Sequence, residues 1–222
     1  MNIVKSHLRP SQYAGKRKLP IRQIVLHHTQ GSTAKGALSW WNLTPEPVGT
    51  NYLIDKDGTI IEAFPIDKWA WMLGISTSSN QVNKLYKTQK YSSNIEQMAV
   101  GIELASEGEL IKIGDKFYFE GGDKFIDPNN VCTLDKEHRG YKYYAKYTDA
   151  QLASLSHLIK KLCDDFDIKI NTEFDIFDIN LKALQGVEGI YSHVCYRSHD
   201  KTDMFPQPEL ITMLKSLNNV LV

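Results

Sequence analysis

The chain of 222 residues has little that would tie it to a charged polymer or to a membrane. Its 26 Lys and Arg residues are balanced by 26 Asp and Glu residues, so the formal net charge is zero. Nucleic-acid binding that depends on bulk positive charge is therefore not expected. No apolar run approaches the roughly 20 residues needed to cross a bilayer, so we expect no membrane span.

Cysteine is scarce, and the start of the chain does not resemble a secretion signal. Cys132, Cys163 and Cys195 form no CxxC pair, and an odd, widely spaced set does not indicate a disulfide framework. The first residues contain no apolar stretch of signal-peptide length, so we expect synthesis in the cytoplasm. No repeat, low-complexity tract or Pro/Ser-rich linker is visible. We therefore expect a single domain over residues 1–222.

The order of apolar patterns predicts a mixed α/β domain. Thr148 and Gln151 have the spacing of a capping box, so a helix should begin there. Ser32 or Thr33 could cap an earlier helix, and Asp57-Gly58 favours a hairpin turn. The predicted elements are strands at 21–28, 100–104 and 189–192, hairpins at 51–64 and 111–119, and helices at 32–41, from 148 onward, and at 174–184.

A pair of histidines, His27 and His28, ends the first apolar strand. Neighbouring side chains of a strand point to opposite faces, so only one of the two can line a given site. Periodicity alone does not choose between them.

A second candidate segment lies far downstream, where His193, Lys201 and Asp203 occur within eleven residues. Imidazole nitrogen and carboxylate oxygen are both zinc ligands. A histidine from the first strand would complete three protein ligands and leave one zinc position open, which is the arrangement of hydrolytic zinc sites. Cys195 and His199 of the same segment stay open as alternative ligands.

Four segments follow one another in a distinctive order: IVLHHT at 24–29, GTNYLIDKDGTI at 49–60, VGIEL at 100–104 and HVCYRSHDKTD at 193–203. Together they resemble the zinc-dependent N-acetylmuramoyl-L-alanine amidase family. That family includes phage lysozyme-type amidases, anhydro-muropeptide amidases and peptidoglycan recognition proteins. The resemblance runs from about residue 21 to about residue 206. It implies a central mixed β-sheet flanked by helices, with zinc in a surface groove.

The resemblance also implies roles for individual residues. Glu103 matches a general base, and Lys201 matches a lysine that stabilises the oxyanion. His28 matches a residue outside the metal shell. The implied zinc ligands are His27, His193 and Asp203.

Substrate contacts are expected from Asn51 and from the aromatic faces of Trp69 and Trp71, which suit sugar rings. The chain also departs from its relatives. Thr50 stands where phage lysozyme-type members have a catalytic tyrosine, so the role of the base should fall on Glu103. Met72 stands where many relatives have a histidine.

The segment 105–147 is longer than in compact members, and we expect an insertion there. The substrate implied by the resemblance is peptidoglycan or a soluble muropeptide. Two settings fit: a phage endolysin, which would act on the cell wall after crossing the membrane through a holin-type pore, or a cytoplasmic enzyme that recycles wall fragments. A catalytically inactive recognition protein and a zinc peptidase acting on the stem peptide are the alternatives.

Overall fold

The computed structural model describes residues 2–75, 94–119, 122, 124–170, 175–197 and 200–217, and these residues contain two β-sheets. The strands are β1 (Ile3–Lys5), β2 (Gln23–His28), β3 (Tyr52–Ile54), β4 (Ile60–Glu62), β5 (Ala99–Leu104), β6 (Glu109–Ile113), β7 (Lys116–Phe119), β8 (Phe125–Ile126), β9 (Val131–His138), β10 (Tyr141–Ala145) and β11 (Gly189–Ser192). The helices are α1 (Ala34–Leu43), α2 (Asn94–Met98), α3 (Asp149–Phe166), α4 (Leu181–Leu184) and α5 (Pro208–Leu217).

The central sheet has the strand order β1-β4-β3-β5-β2-β11. The β3–β4 hairpin is antiparallel, and the remaining neighbours are parallel. All residues of β2 and β5 are buried, as expected for parallel strands covered on both faces. This mixed sheet confirms the predicted fold class.

Helices cover both faces of the central sheet. Leu53 packs with Leu38 and Trp41 of α1. The next residue of β3, Ile54, points to the other face and joins the main core with Leu155 of α3. None of the helices in the described part of the chain is long and apolar enough to cross a membrane.

The second sheet is antiparallel, with the order β8-β7-β6-β10-β9, and it lies within the predicted insertion. One of its faces joins the main core through Leu134 and Tyr144. The opposite face has a small apolar cluster of its own, built on Leu110, Ile126 and Ala145. The segment is therefore a folded layer attached to the domain.

Local sequence signals predicted several elements correctly. Thr33 is the N-cap of α1, and its side chain accepts a hydrogen bond from the Gly36 amide. Thr148 and Gln151 form the complete capping box at the start of α3. Both predicted hairpins are present, in β3–β4 and β6–β7.

The predicted helix at 174–184 is wrong over most of its length. Position 174 lies outside the described residues, 175–180 are irregular, and only α4 is helical. The Asp175 carboxylate accepts from the Phe177 amide, and Asn180 caps the short helix. Asp and Asn side chains that bond to nearby backbone in this way compete with helix formation. The apolar spacing alone did not reveal that competition.

Candidate metal centre

The carboxyl ends of three parallel strands, β5, β2 and β11, meet at one edge of the central sheet. Ser192 at the end of β11 pairs with Leu26, so the next residue, His193, lies level with His27. On the other side of β2, Glu103 of β5 pairs directly with His27. Open α/β sheets place ligand sites at this edge.

The structure brings His27, His193 and Asp203 together in a buried group that could hold a metal ion. The two Nδ1 atoms are 3.1 Å apart. Asp203 Oδ2 lies 3.0 Å from His193 Nδ1 and 3.2 Å from His27 Nδ1. Four-coordinate zinc with bonds of about 2.0–2.2 Å separates its ligand atoms by about 3.3–3.6 Å, a few tenths of an ångström more than the distances here. The donor types and their spacing therefore fit a zinc ion.

The backbone carbonyl of Leu73 holds the His193 ring in the orientation that this site needs. His193 Nε2 lies 3.0 Å from that oxygen and donates to it. The neutral ring then carries no proton on Nδ1, which is the atom that can bind a metal. The buried carboxylate of Glu96 in turn accepts hydrogen bonds from the Met72 and Leu73 amides. His27 has a different environment, because its buried Nε2 has no partner among the described residues.

Burial and mutual charge set the protonation states of the group. Burial, together with the neighbouring His193, lowers the pKa of His27 to about 4, against the opposing effect of Asp203. Burial would raise the pKa of Asp203, but His193 and His27 outweigh it and hold that pKa well below its usual value. A neutral imidazole and an ionised carboxylate are the states that bind a metal.

Glu103 lies beside this group and is buried. Its Oε2 has no hydrogen-bond partner within the described ranges. Burial, and then the charge of Asp203, raise the pKa of Glu103 well above its usual value, while Lys201 partly opposes the shift. The half-buried Lys201 is thus close enough to act on the electrostatics of the carboxyl group.

The three predicted substrate contacts have different surroundings. Trp71 is 39% exposed, and its ring meets that of the half-buried Trp69 edge-on with centroids 5.0 Å apart. Asn51 is buried; its side-chain oxygen accepts a hydrogen bond from Arg17, and its side-chain nitrogen donates to the Lys68 carbonyl at 3.5 Å. The surroundings of Asn51 give no support to a substrate contact. All three roles stay predictions.

Two of the alternatives, His28 and Cys195, do not join the group. His28 points to the other face of β2, where its Nδ1 lies 2.9 Å from the Tyr147 hydroxyl. Cys195 is buried and donates to the Ile176 carbonyl at 3.4 Å. His199 lies outside the described residues.

Sequence reasoning missed the supports of this site. Three groups from distant parts of the chain support it. The Leu73 carbonyl contacts His193, the buried Glu96 carboxylate contacts the Leu73 amide, and the buried Glu109 carboxylate contacts Thr202. A backbone oxygen carries no sequence signal, and the partners of these groups are 23 to 120 positions away. No local pattern could have indicated them.

The sequence matches the family described as N-acetylmuramoyl-L-alanine amidase over residues 17–207. The chain belongs to this family and is thus an enzyme of the peptidoglycan amidase type. No curated protein matches it by sequence.

Solved structures with the same fold cover nearly the whole chain. The hydrolase AmiA of Staphylococcus aureus, solved with its ligand, gives a TM-score of 0.57 at 13% identity, covering 99% of this chain and 82% of its own. An AmpD derivative gives 0.51 at 16% identity, with 97% and 93% covered. A mutant endolysin from Bacillus subtilis gives 0.50 at 14% identity, with 98% and 97% covered. At these identities the likeness shows the fold alone.

Proposed function

We propose that this amidase is zinc-dependent and that its substrate bond joins the lactyl group of N-acetylmuramic acid to the L-alanine of the stem peptide. One observation carries the proposal: His27, His193 and Asp203 converge on a single point beside Glu103. The family membership supports the identity of the bond.

Zinc held by these three residues would polarise the scissile carbonyl and activate a water molecule for attack. An amide also needs a proton on its departing amine. In its ionised form Glu103 can serve both steps: its Oε2, which has no hydrogen-bond partner among the described residues, can accept a proton from the attacking water and then deliver it to the amine nitrogen. The Lys201 ammonium would stabilise the negative charge that develops on the carbonyl oxygen.

The biological setting is also a proposal. We favour a phage endolysin, made in the cytoplasm and released to the cell wall through a holin-type pore. The fold likeness to a protein described as an endolysin is consistent with that setting. A cytoplasmic enzyme that recycles muropeptides is the second setting.

The test is mass spectrometry of fragments released from purified peptidoglycan and from soluble muropeptides by the zinc-loaded protein. We expect free stem peptides that begin at L-alanine, with the glycan strands intact. Cuts inside the peptide would instead indicate a peptidase. No release from either substrate, with zinc confirmed bound, would indicate a recognition protein.

Replacing the proposed base tests its role separately. Glu103→Gln should lower kcat by about 10²–10⁴-fold, the usual contribution of general acid–base catalysis, and leave zinc binding intact. Glu137→Gln, at an exposed glutamate of β9, is the matched control and should keep wild-type activity. Full activity in Glu103→Gln would refute the assignment of the base.

A further inference from the structure

The short segment that carries Lys201 and Asp203 lacks regular secondary structure in residues 201–203, so its shape depends on contacts from outside. Thr202 lies between the two proposed functional residues. Its hydroxyl donates a hydrogen bond of 2.8 Å to Glu109 Oε2. Glu109 is the first residue of β6, in the second sheet. A residue of that sheet therefore contacts the segment at its centre.

Glu109 makes a second bond with its other oxygen. Oε1 accepts from Gln30 Nε2 at 2.8 Å, and the carboxylate is buried. Gln30 follows β2, the strand that supplies His27, and its φ of 49° places it in the left-handed region that non-glycine residues disfavour. One buried carboxylate thus joins the loop after the His27 strand to the segment of Asp203.

Side chains from the last two strands of the second sheet, and Tyr147 just after them, contact residues 202–205. The Tyr144 ring of β10 stacks on Phe205 with centroids 4.3 Å apart, and Tyr147 stacks on it at 4.5 Å. The His138 ring at the end of β9 faces the backbone of Thr202 and Met204. These stacking and polar contacts all come from residues 109–147, and the Val194 amide adds a hydrogen bond of 3.0 Å to the Asp203 carbonyl.

The geometry points to a positioning role for the second sheet. Its Glu109 accepts a hydrogen bond from Thr202 and thereby holds Lys201 and Asp203 in the positions that their proposed roles require. This inference rests on the proposed function, because it assigns those two residues their roles. Glu109 is a positioning residue rather than a catalytic one, since it acts through Thr202. Hydrogen-bond partners of this kind, one step removed from a metal ligand, typically contribute 10–100-fold to metal affinity or activity.

The experiment compares Thr202→Val and Glu109→Gln with wild type on a soluble muropeptide, so that kcat and KM are separately defined. Valine matches threonine in shape but cannot donate to Glu109. We expect each variant to lower kcat about 10–100-fold, with KM within about twofold of wild type, and to weaken zinc binding in competition with a chelator. Thr202→Ser keeps a hydroxyl that can donate to Glu109, so its kcat, KM and zinc affinity should match those of wild type. The double variant should lose no more than the worse single one, because both changes act on the hydrogen bond between Thr202 and Glu109.

Glu107→Gln is the matched control. Glu107 is also buried and lies two residues before Glu109, but its bonds go to Lys56 and Lys124, at 2.7 and 2.6 Å. Its substitution should lower the melting temperature and leave kcat and zinc affinity near wild type. Equal losses in Glu107→Gln and Glu109→Gln would overturn the inference. Wild-type kcat and zinc affinity in Thr202→Val would also overturn it.

The zinc measurement separates this inference from the proposed function. If wild type releases no stem peptide but Thr202→Val still weakens zinc binding, the proposed function fails and the positioning role stands. If wild type is active and Thr202→Val and Glu109→Gln are unaffected, the positioning role fails alone.

Discussion

His27 and His28 are neighbours on one strand, yet they lie in two regions with different chemistry. His27 belongs to the donor cluster, which consists of His27, His193 and Asp203. His28 belongs to an aromatic cluster, which consists of His28, Tyr144, Tyr147 and Phe205. The strand alternation that separates the two side chains also separates a site that can bind a cation from a part of the core.

Burial does not distinguish the two histidines. It is the largest cause of a lowered pKa at both. The difference lies in the partners: the His27 ligand atom faces two other ligand atoms, whereas the His28 Nδ1 faces one hydroxyl. A candidate metal site is thus recognised by the convergence of donors and not by the burial of a titratable group.

The largest expected difference between the clusters concerns zinc. His193→Ala should abolish the rise in melting temperature that zinc gives the wild type, since only the folded state offers the site. It should also lower activity by more than about 100-fold, which exceeds the effect of removing a supporting residue. His157→Ala, at an exposed histidine of α3, is the control and should behave as wild type. A zinc-dependent rise that survived in His193→Ala would remove this residue from the donor cluster.

An intermediate effect is expected in the aromatic cluster. Tyr147→Phe removes the hydroxyl that pairs with His28 Nδ1 and leaves a buried polar atom unpaired. We expect a loss of about 1–3 kcal/mol in the free energy of unfolding, measured in urea. The stabilisation by zinc should be the same as in wild type. A variant that lost zinc binding as well would show that the two clusters are coupled.

The smallest effect is a pH dependence at a third buried histidine, His138, whose ring packs edge-on against Phe177 and tilted against Tyr144. Burial, and then Arg139, lower its pKa from 6.5 to about 4. Between pH 6.5 and about 4, His138 is protonated in the unfolded state and neutral in the folded state. The free energy of unfolding therefore falls as the pH drops through this range.

His138→Gln should reduce that loss without removing it, because His27 also resists protonation. The measurement is the urea midpoint of the zinc-free protein at several pH values between 7.5 and 4.5. Parallel curves for wild type and variant would exclude His138 as a contributor.

Local signals sufficed for part of the fold. The capping box of Thr148 and Gln151 depends on residues three apart, and the β3–β4 turn depends on Asp57-Gly58. The helix prediction at 174–184 was wrong because of local bonds as well: the side chains of Asp175 and Asn180 accept hydrogen bonds from backbone amides two residues further on. Apolar periodicity does not register such bonds.

The sequence by itself determined the residue types at the site and the order of their motifs, because donors and turn residues are fixed by covalent identity. Only the tertiary structure decided which groups meet. His27 and His193 are 166 positions apart, and parallel pairing of β2 with β11 brings them level. Glu109 reaches Thr202 across 93 positions. Such contacts form only when segments that are far apart in the sequence pack together. The spacing of residues along the sequence does not indicate which of these segments will meet.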